Sequence, residues 1–246
     1  MNHESYPQPA WCWKYLLCLP LLGFVAILAL FALFNIDHGL QDSLYQPGLG
    51  FPFQDSAAYE LWLHDRIKIA SNSLLWIVLI AAIWPSRQLS WTYFRAPLLV
   101  AILAMVTCVS AMQSLKGVTG IYCPVQLQEY GGTVELHPKI RIGHLMLIND
   151  GAGRCWPGGH STTGFAWLAM FFAFLCIGKK YAAIATLIVA IVYGHFLGLT
   201  QVIRGQHFLS HQFYTMAICW LISLTLFTPL HFWQDRITKT REQTSL

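Results

Sequence analysis

Long apolar runs separated by polar stretches dominate this chain. A helix needs about 17–25 mostly apolar residues to cross the hydrocarbon core of a bilayer. Six stretches meet or approach that length: residues 15–36, 67–84, 97–115, 161–178, 181–200 and 212–232. The polar material between them gathers in two long loops, 37–66 and 116–160, and in a shorter turn at 201–211. With six spans these three regions fall on one membrane face, which is where a site is expected. The pattern predicts an all-α fold, a bundle of six transmembrane helices forming a single integral membrane domain over residues 1–246. No internal repeat, linker or low-complexity segment interrupts it. The first apolar stretch is too long for a removed signal peptide and lacks a small-residue cleavage site.

Composition narrows the class further. Hydrophobic residues make up 56% of the 246 and charged residues 11%, against roughly 25% charged in an ordinary soluble domain. That balance excludes a soluble domain and also intrinsic disorder, which needs the opposite bias. The net charge of +4 is modest and no basic run resembles a nucleic-acid footprint, so no nucleic-acid partner is expected. Lys14, Arg87, Arg95, Lys179, Lys180, Arg236, Lys239 and Arg241 collect on one side of the ladder. The short Lys179-Lys180 turn is the clearest marker, and the positive-inside tendency then puts both termini in the cytoplasm. Trp11, Trp13, Trp84, Trp91 and Trp233 fall near one interface, as an aromatic belt would.

The densest chemistry lies in Arg154-Cys155-Trp156-Pro157-Gly158-Gly159-His160-Ser161-Thr162, which leads directly into an apolar helix. Proline and paired glycines allow a tight turn whose amides approach an anion closely. Ser161 and Thr162 are placed to cap the helix, and its N-terminal N–H groups make a seat for phosphate. His160 stands at the mouth of that seat, where it can exchange a proton with a leaving oxygen. Lys116 closes the third span, a position where lysines commonly snorkel to the interface. Between the last two spans, Arg204, His207 and His211 share one face if the segment is helical. Such a cluster beside a bilayer is costly unless it is used.

In this order and on one face, the three pieces resemble the type 2 phosphatidic acid phosphatase superfamily. That family's pattern is Lys-x6-Arg-Pro, then Pro-Ser-Gly-His, then Ser-Arg-x5-His-x3-Asp. The resemblance covers residues 97–232, the expected phosphatase core. It implies an integral-membrane lipid phosphatase that needs no cofactor and no metal, with His207 as nucleophile through a phosphohistidine and His160 as acid. Lys116, Arg204 and the amides around Gly158, Gly159 and Ser161 would bind the phosphoryl oxygens. Bacterial relatives act on undecaprenyl diphosphate, phosphatidylglycerophosphate, phosphatidate or the phosphates of lipid A. The expected partners are therefore a lipid phosphate or diphosphate and the membrane lipids, with the site at the periplasmic face of a bacterial inner membrane.

The chain departs from the pattern at several positions. Cys123 stands where the first motif has Arg, and Arg154 or Arg141 is expected to supply the missing charge, Arg154 by preference. Gly158 replaces the motif's Ser. Gln201 occupies the aligned arginine position, with Arg204 one helical turn nearer His207. His211 replaces the Asp that orients the nucleophile, and a neutral imidazole there accepts a proton without supplying negative charge. A second alignment, with His211 as nucleophile, ranks lower because Thr215 would then replace the Asp.

Of seven cysteines, Cys12, Cys18, Cys108, Cys176 and Cys219 fall in or beside spans and read as small apolar residues. Cys123 and Cys155 share the long outer loop, where an oxidising compartment would join them. Closing a loop of about 30 residues stabilises by roughly 3 kcal/mol in the chain-entropy model. His195 reads as a hydrogen-bonded core histidine, and His137 and His144 as loop residues. Glu129-Tyr130-Gly131-Gly132 reads as a turn with a possible substrate contact. Competing classes are a phosphotransferase to another lipid, a metal-dependent hydrolase built on the His207-x3-His211 spacing, and a non-enzymatic transporter. The second lacks the Glu of a His-Glu-x-x-His site, and the third expects charges deep within spans rather than at one mouth.

Overall fold

The structure, a computed structural model, describes residues 14–57, 66–83, 89–135, 138–149 and 152–244. A π-helical turn, Lys14–Cys18, runs into α1 (Leu19–Phe34). Asn35, at a left-handed φ of 51°, ends α1, and α2 (Ile36–Leu44) starts at the next residue. There follow α3 (Ile67–Ile83) and α4 (Leu89–Thr119), then two short 3-10 turns, Pro124–Gln126 and Gln128–Tyr130. The antiparallel strands β1 (Pro138–Ile142) and β2 (Leu145–Asn149) pair Ile142 with Leu145. The chain closes with α5 (Gly159–Phe165), α6 (Leu168–Cys176), α7 (Lys180–Val202) and α8 (Ser210–Thr244).

Among the described residues, four helical segments are long and apolar enough to cross a membrane: Tyr15–Phe34, Phe94–Thr119, Lys180–Val202 and Ser210–Phe232. They make this a membrane protein. The second expected span corresponds to α3, 17 residues long. Its expected end at Trp84 lies outside the described residues, as do Trp11, Trp13 and His137.

The all-α expectation holds for the bundle, to which the loop after α4 adds one small strand pair, the β1–β2 hairpin. Its tip rests on α1, where His144 N–H donates to the Ala32 carbonyl at 2.9 Å. One expectation needs correction: residues 161–178 do not form one continuous helix. At Ala166–Trp167 the helix tightens, and the N–H groups of Trp167, Ala169 and Met170 reach back three residues, at 3.2, 3.2 and 2.9 Å. The break separates two packing tasks. In α5, Gly164 presses so closely on α7 that a Cβ there would lie 2.4 Å from the Gly194 Cα. Small residues permit such backbone contact inside membranes. In α6, by contrast, Leu168, Ala169, Met170, Phe171, Phe172, Ala173 and Cys176 are all buried.

A helix that is apolar and covered on every side belongs at the centre of a bundle, and α6 packs against α4, α7 and α8. Phe172 contacts Trp220 and Phe227 of α8, with ring centroids 5.0 and 5.9 Å apart. On the outer helices the large apolar residues face outward instead. Along α7 these are Ile184, Ile188, Val192, Phe196 and Leu199, a surface that suits lipid chains rather than water.

A Cβ added at Gly194 would lie 2.3 Å from the Phe165 ring, whereas one at Gly23 in α1 meets nothing within 4 Å. Gly194→Ala is expected to cost about 1–3 kcal/mol through overpacking. Gly23→Ala should be neutral, or stabilise by about 0.5–1 kcal/mol. Thermal unfolding midpoints of the two variants in detergent check the contrast.

Candidate active site

The end of α4 is fastened to the turn that opens α5. Cys155 N–H donates to the Ile121 carbonyl at 2.8 Å, Thr119 Oγ1 donates to the Trp156 carbonyl at 3.2 Å, and Cys123 and Cys155 are joined in a disulfide with Cα atoms 5.1 Å apart. The Trp156–Pro157 peptide is cis, and Gly158 is the N-cap of α5. The expectation that Ser161 or Thr162 caps this helix is corrected. Both lie inside its first turn, so their hydroxyls donate back to the Gly158 carbonyl, at 3.0 and 2.7 Å. The Gly158 N–H instead donates to Thr215 Oγ1 of α8 at 2.9 Å. Glycine suits position 158 because a Cβ there would sit 2.5 Å from Ser161 Oγ. At Gly159 a Cβ would lie 3.1 Å from Lys116 Nζ. The lysine ammonium therefore lies against the first turn of α5, where helix N–H groups lack intrahelical acceptors.

The second half of the site is the link between α7 and α8. Arg204, His207 and His211 do not share a helical face, contrary to expectation. α7 ends at Val202, and Gly205, at a φ of 68°, turns the chain. A Cβ at Gly205 would meet the Phe51 ring at 2.3 Å. His207 thus stands in a loop and is 7% exposed, and His211 lies in the first turn of α8. The loop brings their rings together nonetheless, with Nδ1 to Nδ1 at 3.3 Å. The Cys155 sulfur lies 3.4 Å from His207 Nδ1.

Helix α2 locks this loop in place, a role not expected for it above. Gln41, fully buried, donates from Nε2 to the His207 carbonyl at 3.0 Å. The buried Asp37 carboxylate accepts the Ser210 N–H at 2.8 Å and the Ser210 hydroxyl at 2.5 Å, capping α8 from a distant part of the chain. Burial pushes Asp37 above the usual carboxylate range, while the Ser210 bonds and nearby His38 pull it down. The spacing of Asp37 and Gln41, four apart on one helix face, was the available signal. Farther out, Tyr130 donates to Asp42 at 2.9 Å and His38 pairs with Glu129 at 3.2 Å, joining α2 to the second 3-10 turn.

Burial holds the His207 imidazole well below its ordinary pKa, and the neighbouring basic groups His211, Lys116 and His160 push the same way. A hydrogen bond between the ring and the Cys155 backbone opposes them. The ring is therefore neutral at physiological pH and keeps one lone pair. Arg154 is exposed and close enough to Lys116 for their charges to interact. The structure thus gathers Lys116, Arg154, His160, His207, His211, Gly158, Gly159, Ser161 and the Cys123–Cys155 disulfide. Arg204 is directed elsewhere: its Nη2 donates to the Gln54 carbonyl at 3.0 Å, tying the loop after α2 to the His207 loop. His195 is a half-buried helix residue paired with Gln212 at 2.9 Å. Among the described residues, Cys155, His207 and His211 offer potential metal ligands within 4.8 Å of one another. The disulfide withholds the thiolate, leaving two imidazoles. Overall the arrangement offers a basic seat for an anion and a neutral imidazole facing it.

Two outcomes follow. Removing the α8 cap in Asp37→Ala should cost about 1–2 kcal/mol, read as a lower unfolding midpoint in detergent. His207 also links stability to pH. Below about pH 6.5 an unfolded histidine takes up a proton that the folded ring refuses, so stability falls as pH drops through that value. His207→Gln should show a shallower fall over the same range.

Residues 95–235, more than half of the chain, match the PAP2 superfamily. No curated protein and no solved structure matches the chain. The chain belongs to the PAP2 superfamily, whose members are phosphatases acting on phosphate esters, often those of lipids.

Proposed function

We propose that this PAP2 protein removes a phosphate or diphosphate head group from a membrane lipid through a phosphohistidine on His207. The observation that carries this reading is the meeting of His160, Lys116 and His207 around the first turn of α5. Phosphoryl transfer asks chiefly for positioned positive charge and in-line geometry. Lys116 and Arg154 supply the charge, and amides at the start of α5 around Gly159 supply hydrogen bonds. Nε2 of His207 attacks phosphorus while Nδ1–H is held by Nδ1 of His211. The bond from phosphorus to the lipid oxygen breaks, and His160 gives that oxygen its proton. A water that loses its proton to His160 then attacks the phosphohistidine, releasing phosphate and restoring both rings.

The membrane reading extends this. Six helical passes, with α3 and the α5–α6 pair added to the four long apolar segments, put the site at one rim of the bundle. The site lies at the Val202 end of α7, and the exposed Lys179 and Lys180 lie at the other end. By the positive-inside tendency, the site then faces outward and the termini face the cytoplasm. The Cys123–Cys155 disulfide beside the site supports the same orientation, since such bonds persist in oxidising compartments such as the periplasm. Apolar faces on α1, α4 and α7 suit the lipid tail.

The test is phosphate release from a panel of lipid phosphates and diphosphates by the purified protein. His207→Ala should fall to background. His160→Ala should lose roughly 10²–10⁴-fold on lipid esters, and much less on an aryl phosphate whose leaving group needs no proton. Turnover should persist in EDTA. Wild-type turnover in His207→Ala would remove the nucleophile assignment.

A further inference from the structure

The three ligand atoms beside the disulfide have a geometry that the phosphatase reaction does not use. Zinc in a tetrahedral site holds sulfur at about 2.3 Å and nitrogen at about 2.0–2.1 Å, which places sulfur and nitrogen about 3.6 Å apart and two nitrogens about 3.4 Å apart. Here the Cys155 sulfur is 3.4 Å from His207 Nδ1, and His207 Nδ1 is 3.3 Å from His211 Nδ1. All three atoms lie within 4.8 Å of one another, on three buried residues. We propose that reduction of the Cys123–Cys155 disulfide converts this trio into a zinc site that silences the enzyme.

Charge explains why the oxidised form should not bind zinc. A disulfide sulfur is a weak, neutral ligand, and two neutral imidazoles close to the Lys116 ammonium do not hold a dication well. A thiolate at Cys155 adds the soft donor and the negative charge that zinc prefers. The conversion needs a two-electron reductant, for which a dithiol suffices. Its two sulfurs close into a disulfide, and its two protons and two electrons yield thiols at Cys123 and Cys155. Zinc binding then releases the Cys155 proton to solvent.

Cys155 stays in position without the bridge. It is 0% exposed and its N–H remains bonded to the Ile121 carbonyl, whereas Cys123 is only partly buried. Two helical contacts likewise hold the histidines, Gln41 on the His207 carbonyl and Asp37 on Ser210. The site is therefore largely formed before the metal arrives, with its fourth position open to water or phosphate.

Silencing follows from the tautomer. Metal on Nδ1 forces the remaining imidazole proton onto Nε2, and a protonated Nε2 has no lone pair for phosphorus. This consequence rests on the proposed role of His207; the metal site itself does not.

The experiment uses full-length protein in detergent, with cobalt(II) as a spectroscopic stand-in for zinc. Wild type reduced with a dithiol, which is then removed under argon, should bind one cobalt ion and show tetrahedral d–d bands with a thiolate-to-cobalt charge-transfer band. Cys123→Ser, which frees the Cys155 thiol without any reductant, should do the same. Oxidised wild type should show neither band, and Cys123→Ser/Cys155→Ser should lose the charge-transfer band. Added zinc should lower turnover of Cys123→Ser at least tenfold, reversibly with EDTA, and leave oxidised wild type unaffected. Absence of the charge-transfer band in both reduced wild type and Cys123→Ser overturns the proposal, as does its survival in the double variant. Zinc binding that spares turnover would overturn the silencing, and with it the nucleophile assignment, while leaving the metal site standing.

Discussion

Positive charge crowded around a buried neutral imidazole is the constraint on which the site depends. The titratable groups that bear on His207 are His211, Lys116 and His160, and all of them are basic. Taken out of water, such a cluster repels itself, and the cheapest relief is to leave the buried ring unprotonated. A phosphate arriving there relieves the repulsion. The same electrostatics that keep the lone pair free therefore favour a bound anion, so an unprotonated ring and an attraction for anions come from one arrangement of charges.

That arrangement must be held mechanically, because like charges do not assemble on their own. The bundle supplies the rigidity through α6, which is buried on every side, and through the glycine contact that seats α5 on α7. Beyond the bundle, cross-links do the work: the disulfide and the Cys155–Ile121 bond join α4 to α5, Arg204 and Gln54 join the two outer loops, and α2 grips the link between α7 and α8. Each tie spans a long separation in sequence. The site is in effect a surface assembly bolted across the end of a bundle.

This division explains what the sequence made legible. Apolar run lengths located the four long apolar helices, and motif spacing pointed to Lys116, His160 and His207, which the fold brings near one another, because both signals are local. Cys123 and Cys155 were paired because they lay alone together in one loop. The roles of Asp37 and Gln41 were not legible, since each is defined by a partner more than 160 residues away. The break at Ala166–Trp167 was hidden because an apolar run reads alike whether or not a turn tightens within it. Arg204 was misjudged for a different reason. Helical periodicity was extended through Gly205, where a left-handed residue ends it.

The joint between α1 and α2 is a single residue, Asn35. A joint so short has no slack, so the roll of the first apolar helix about its own axis sets the angular phase of α2. One additional residue there would advance α2 by about 100°, carrying the Asp37 and Gln41 side chains off the link between α7 and α8. Length at this point in the chain is therefore as strictly specified as side-chain identity, even though the residue is far in sequence from Lys116, His160 and His207.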